Sequence, residues 1–169
     1  MKCALITLCV ICILVIAGAL LVISRWSLSA LPESGSMETY LATKAKHIFV
    51  RRGSREAVLP APSNLKASIE EGEKLFGTEC AACHGLDGHK ATDAGRWMYP
   101  HAADLTSREV QQYSDRELFW IAKNGIRLSG MPAFEKIETQ EHIWNLVHYV
   151  RILDGSKQES SASFSLHTF

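Results

Sequence analysis

The stretch GEKLFGTECAACHG, Gly72 to Gly85, decides how the rest of the chain is read. It ends in Cys80, two alanines, Cys83 and His84. Two thiols and an imidazole in that order suit a zinc site, a redox dithiol or covalent attachment to something larger. A structural zinc site takes four ligands, so this C-x-x-C needs a second close pair of Cys or His elsewhere. The remaining cysteines, Cys3, Cys9 and Cys12, all lie near the amino terminus, and no such pair exists. A redox C-x-x-C opens a helix in a βαβ context, and no run of β-branched residues surrounds Cys80.

The chemistry left for C-x-x-C-H is a haem held by two thioethers. The thiols of Cys80 and Cys83 add across the vinyl groups, and His84 binds the iron from the proximal side. A second axial ligand is then expected far along the chain. Met1 and Met37 lie outside the segment that carries the motif, leaving Met98 in GRWMYP and Met131 in NGIRLSGMPAF, Asn124 to Phe134. Gly125, Gly130 and Pro132 give the second stretch a turn of fixed shape around the thioether, so Met131 is the expected ligand. Met98 reads as core packing. His89 follows His84 too closely to reach the opposite face, His142 and His148 fall in a helical pattern, and His101 is the one competing imidazole. With both axial positions filled, the iron has no open site for a substrate, and the reading is an electron carrier rather than an enzyme.

The amino terminus has a different character. Cys3 to Ile23 is a run of 21 residues without a charge, long enough as a helix to cross a hydrocarbon core. Residues 1–24 therefore read as a transmembrane anchor, with a cleavable signal as the alternative because Ser27 and Ser29 are small. The flanking charges do not orient it. The formal net charge of zero hides a division: residues 24–65 carry six Lys or Arg against three acids, and residues 66–154 carry ten against fourteen. Residues 25–65 read as a basic tether, solvated rather than laid on anionic headgroups. It is expected to be partly helical, because Tyr40, Leu41, Ala45, Ile48 and Phe49 recur at helical intervals. Nothing in it has the aromatic interleaving of a nucleic acid site. Pro60 and Pro62 place the domain boundary, and residues 155–169 read as a polar, mobile tail.

Between boundary and tail, the patterns are helical. Ser68 to Cys80 sets Ile69, Leu75 and Phe76 among charges, with Gly72 as a point of close approach. Thr139 to Gly155 repeats Ile143, Leu146, Val147 and Val150 and ends at Gly155. These faces are expected to pack with Gly72 and Phe76 against Trp144 or Val147. Ser114 and Glu117 form a capping box for a helix that Gly125 ends, and Thr106 with Glu109 repeats the signal for a shorter one. No two-residue alternation is sustained, so the fold class is all-α. A domain of about 90 residues in short helices has little core, and the haem is expected to act as its staple.

Taken together, GEKLFGTECAACHG, YPHAADL and NGIRLSGMPAF make residues 66–154 resemble the class I c-type cytochromes. The resemblance implies one covalently bound haem c, with Cys80 and Cys83 as thioethers and His84 and Met131 as iron ligands. It also implies that the carbonyl of Pro100 accepts a hydrogen bond from the proximal imidazole, which fixes the tautomer. His101 departs from the commoner YPPAADL form by replacing a second proline. The implied function is single-electron transfer in a respiratory chain, with the haem domain on the periplasmic side of a bacterial cytoplasmic membrane and redox proteins as partners. The alternative is a fixed subunit of a membrane reductase, oxidase or dehydrogenase complex. No small-molecule substrate is implied.

Overall fold

The computed structural model describes residues 2–25, 35–56 and 58–153, and among them every regular element is helical. The chain divides into two compact units, Met1–Glu33 and Ser34–Phe169. The first is helix α1, Lys2–Arg25, whose segment Ile6–Ser24 is long and apolar enough to cross a membrane and is wholly unburied. The expected tail, residues 155–169, and the helix stop at Gly155 lie outside the described residues.

The second unit contains α2 (Ser36–Gly53), α3 (Leu65–Leu75), a π-helical turn (Phe76–Cys80), α4 (Ala81–His84), α5 (Asp93–Trp97), α6 (Arg108–Gln111), α7 (Asp115–Asn124), a 3-10 turn (Phe134–Lys136) and α8 (Gln140–Ile152). The capping box at Ser114 and Glu117 forms, and Gly125 closes α7 at φ +65. The signal at Thr106 is displaced by one residue. Ser107 caps α6, because the Thr106 hydroxyl is engaged by the Asp104 carboxylate at 2.7 Å.

α3 crosses α8 with almost no space between backbones: a Cβ on Gly72 would lie 2.0 Å from the carbonyl oxygen of Asn145 and 2.9 Å from Cβ of Tyr149. Phe76 packs on Tyr149, ring centroids 5.2 Å apart. The contact expected with Trp144 or Val147 is thus made by the adjoining face of the helix, by Asn145, Leu146 and Tyr149. The reason is that α8 is buried on two sides. Ile143, Trp144 and Val147 join Val50, Tyr113, Leu118 and Phe119 in one core cluster, while Leu146 joins Phe76, Ala81 and Leu153 in a second. Between α3 and α8, Ser68 donates to Asn145 Oδ1 at 2.5 Å and accepts from His148 Nδ1 at 2.7 Å, so the polar groups enclosed there are paired.

The segment expected to be a solvated tether is instead part of this unit. Val50 of α2 is 1% exposed in the first cluster, and His47 stacks on Tyr113 with centroids 5.0 Å apart. Lys46 pairs with Glu109 at 3.3 Å, and Arg116 donates to the carbonyls of Ser54 and Glu56 at 3.2 and 2.7 Å. Beyond the helix, Trp144 Nε1 donates to the Leu59 carbonyl at 2.9 Å, and Leu59 N donates to Gln140 Oε1 at 3.0 Å. A boundary at residue 65 therefore separates α2 from the core it helps to fill. The prolines mark a turn within the unit, not its edge.

Candidate functional site

Cys80, Cys83 and His84 occupy consecutive turns of helix, from the π-helical turn into α4, and the two thiols are free. Burial, then the charges of Glu79 and Cys83, push the Cys80 thiol up to about 12. Among the described residues no group of three or more His, Cys, Asp or Glu side chains is placed to hold a metal ion, which leaves a zinc site without its ligands.

α4 is held from outside by the loop that follows it. Gly85, at φ +77, ends the helix, and the Asp87 carboxylate accepts from the amides of His89 and Lys90 at 2.9 and 3.3 Å to close the turn. Thr92 then returns to α4: its hydroxyl donates to the Ala82 carbonyl at 2.6 Å and its amide to the Cys83 carbonyl at 3.0 Å, while its side chain caps α5. Gly95 sits so close that a Cβ there would lie 2.2 Å from the Cys83 carbonyl oxygen.

His84 Nδ1 donates to the carbonyl of Ala103 at 2.8 Å. The acceptor expected from the resemblance was Pro100, and the structure moves this role three residues along. The amides of Ala102 and Leu105 are tied to the carbonyls of Gly95 and Gly88, at 2.9 and 2.8 Å, and these bonds bracket Ala103 against the imidazole. Burial holds the His84 pKa below its usual value, with the Ala103 bond opposing in part, so the neutral ring carries its proton on Nδ1. Nε2 is left as a lone-pair donor.

Met131 lies in a loop that closes on itself. The Ser129 hydroxyl donates to the Ile126 carbonyl at 2.7 Å and accepts from the Met131 amide at 3.2 Å. Ile126 N donates to the Met131 carbonyl at 3.4 Å. Gly125 backs the loop, since a Cβ there would lie 2.6 Å from the Pro132 carbonyl. Lys123, nearly buried, pairs with Glu135 at 3.1 Å across the base of the loop. Met98 is not in the hydrophobic core: its sulfur packs over Gly130, where a Cβ would lie 2.4 Å from it. His101 is exposed, and its Nδ1 donates to the Met98 carbonyl at 3.0 Å.

These residues fit a haem. Two free thiols precede an imidazole with one nitrogen engaged and one available. Among the described residues the three most exposed large apolar side chains are Leu86 at 81%, just after the haem motif, Trp97 at 80%, just before Met98, and Leu128 at 91%, shortly before Met131. Uncovered apolar side chains beside the haem motif and beside both candidate methionines are what an apolar ligand would cover.

Residues 67–150 match the family model described as cytochrome C oxidase, cbb3-type, subunit III. The chain belongs to the class I c-type cytochromes. Their cofactor is covalently bound haem c, and their work is electron transfer. Among solved structures, this cytochrome is similar to a chain of the Kuenenia stuttgartiensis reducing HAO-like protein complex Kustc0457/Kustc0458, with 24% identity and a TM-score of 0.51 over 56% of this chain. It spans 47% of that chain's length, so the likeness is one of fold. A second similar structure is the KustC0563 c-type cytochrome, at 31% identity and a TM-score of 0.44, covering 48% of this chain and 95% of that one. No curated protein matches the chain.

Proposed function

We propose that this cytochrome is a membrane-anchored single-electron carrier of a respiratory chain, with one haem c ligated by His84 and Met131. The observation that carries the reading is the His84 imidazole, held through Nδ1 by Ala103 with Nε2 left for iron. C-x-x-C-H occurs once in the sequence, which supports a single haem. The self-closed loop at Met131 supports that residue over Met98 and His101. When bound, the haem supplies the redox centre. The chain's own residues attach it through Cys80 and Cys83, set the imidazole tautomer and offer the thioether. If His84 and Met131 both held the iron, no open site would remain for a small-molecule substrate, and the protein would act as a carrier rather than an enzyme.

In this reading α1 is an uncleaved anchor, and the haem domain lies on the periplasmic side of a bacterial cytoplasmic membrane. The test is the optical spectrum of the ferric and reduced protein. The wild type is expected to be six-coordinate and low-spin, with a methionine-to-iron charge-transfer band. Met131→Ala removes that band, and Met98→Ala keeps it. A band that survives Met131→Ala, or carbon monoxide binding by the untreated ferrous wild type, overturns the ligand set.

The match to the cbb3-type subunit III family favours a second reading, a fixed subunit that passes electrons within one membrane complex. Co-purification of other subunits in stoichiometric amounts in mild detergent would select it.

A further inference from the structure

The helix α2 has two faces, and the structure buries the less apolar one. Val50, His47, Thr43, Lys46 and Gly53 turn toward the domain, with Val50 in the core and Gly53 against the Trp120 ring. At 100° per residue, Met37, Leu41, Lys44, Ala45, Ile48 and Arg52 fall on the opposite side. Met37, Tyr40, Leu41, Ile48 and Phe49 are between 58% and 69% exposed. The stripe that signals a helix in the sequence is therefore the outward face.

We propose that this face lies in the headgroup region of an anionic bilayer and sets the orientation of the haem domain on the membrane. Three observations name a lipid surface as the occupant. The cations on this face have no carboxylate partner: among the described residues Lys44, whose ammonium lies over the Tyr40 ring at 5.6 Å, and Arg52 form no ion pair, whereas inward Lys46 is bound to Glu109. Aliphatic and aromatic side chains flanked by Lys and Arg stems that reach outward are the arrangement of an interfacial helix. Chain length keeps the helix near a bilayer: the apolar span ends at Ser24 and α2 begins at Ser36, a distance of at most ~40 Å when fully extended. The last argument rests on the anchor reading of α1. Anchoring raises the effective concentration of α2 at the surface, so a modest interfacial affinity suffices.

α2 is coupled to the haem side at its start and to α7 at its end. Tyr99 donates to Glu38 at 2.9 Å, which ties the start of the helix to the loop that runs through Pro100 to Ala103. Arg116 grips the residues after its end. Seating α2 on lipid thus gives the haem plane a fixed tilt to the membrane. A domain joined only through its chain would tumble.

The experiment is polarised absorption of the Soret band from the full-length holoprotein in oriented bilayers of phosphatidylglycerol and phosphatidylcholine. The wild type is expected to be dichroic. Leu41→Glu with Ile48→Glu, and separately Lys44→Glu with Arg52→Glu, are expected to lose more than half of the dichroism while keeping the wild-type spectrum, since these side chains leave the core untouched. An isotropic wild-type band, or dichroism unchanged in both variants, overturns the proposal, the latter pointing to another protein surface. The anchor is tested apart from this, by flotation with vesicles after an alkaline carbonate wash. If the protein is washed off, the anchor reading fails. The α2 proposal is then decided by flotation at neutral pH: binding to anionic and not zwitterionic vesicles supports it, and binding to neither overturns it.

Discussion

His84 is fixed by hydrogen bonds from far along the chain, whereas the hydrogen bonds that fix Met131 come from its own neighbours, with the Met98 side chain packed over them from a distance. The imidazole rests on Ala103 and its helix is tied down by Thr92, through hydrogen bonds that span 9 to 19 positions, with Gly95 packed against the Cys83 carbonyl. The methionine loop is closed by bonds among Ile126, Ser129 and Met131. Displacing the first ligand means disturbing the fold, because its supports belong to several elements. Displacing the second means opening one loop. The two sides should therefore differ in which perturbations they feel, and local opening should begin at the methionine.

The largest test removes the staple on the histidine side altogether. Cys80→Ala with Cys83→Ala is expected to abolish covalent haem and most of the native helical circular dichroism, seen together with haem staining on denaturing gels. Native-like dispersed spectra from this variant would show that the core clusters suffice alone. Next is Gly95→Ala, whose new methyl would press on the Cys83 carbonyl. Chemical denaturation should show a loss of about 1–3 kcal/mol, the usual cost of overpacking, with the methionine band retained.

The converse is Gly125→Ala on the methionine side. At φ +65 and against Pro132, a side chain there should weaken or remove the methionine-to-iron band, with a global cost on the order of 1 kcal/mol. If Gly125→Ala costs more global stability than Gly95→Ala, the contrast between the two sides fails. The smallest effect is expected from Thr92→Val, which removes the cap of α5 and the bond to Ala82. A loss of about 1 kcal/mol in denaturant is expected, with an unaltered optical spectrum.

The sequence made some of these parts legible and concealed others for physical reasons. Cys80, Cys83 and His84 are readable because the chemistry requires those side chains at that spacing. The α7 cap and the Gly125 stop are readable because side chain or missing side chain makes the feature. The acceptor for His84 is not readable in the same way, because a backbone carbonyl belongs to every residue, and only the path of the loop selects Ala103 over Pro100. α2 was read as a tether for a related reason. Its apolar stripe faces away from the domain, and a single valine, Val50, makes the buried contact. Periodicity reports that a helix has an apolar face but not what that face meets.

Both core clusters draw on α8, the last described helix of the chain. During synthesis neither cluster can close until that helix has emerged. The interval between His84 and Ile152 is roughly 3–14 s at a chain growth of 5–20 residues per second. For that period Cys80, which packs at the edge of the second cluster, stays uncovered. The order of elements along the chain thus acts as a clock, holding the attachment point accessible until its covering is made.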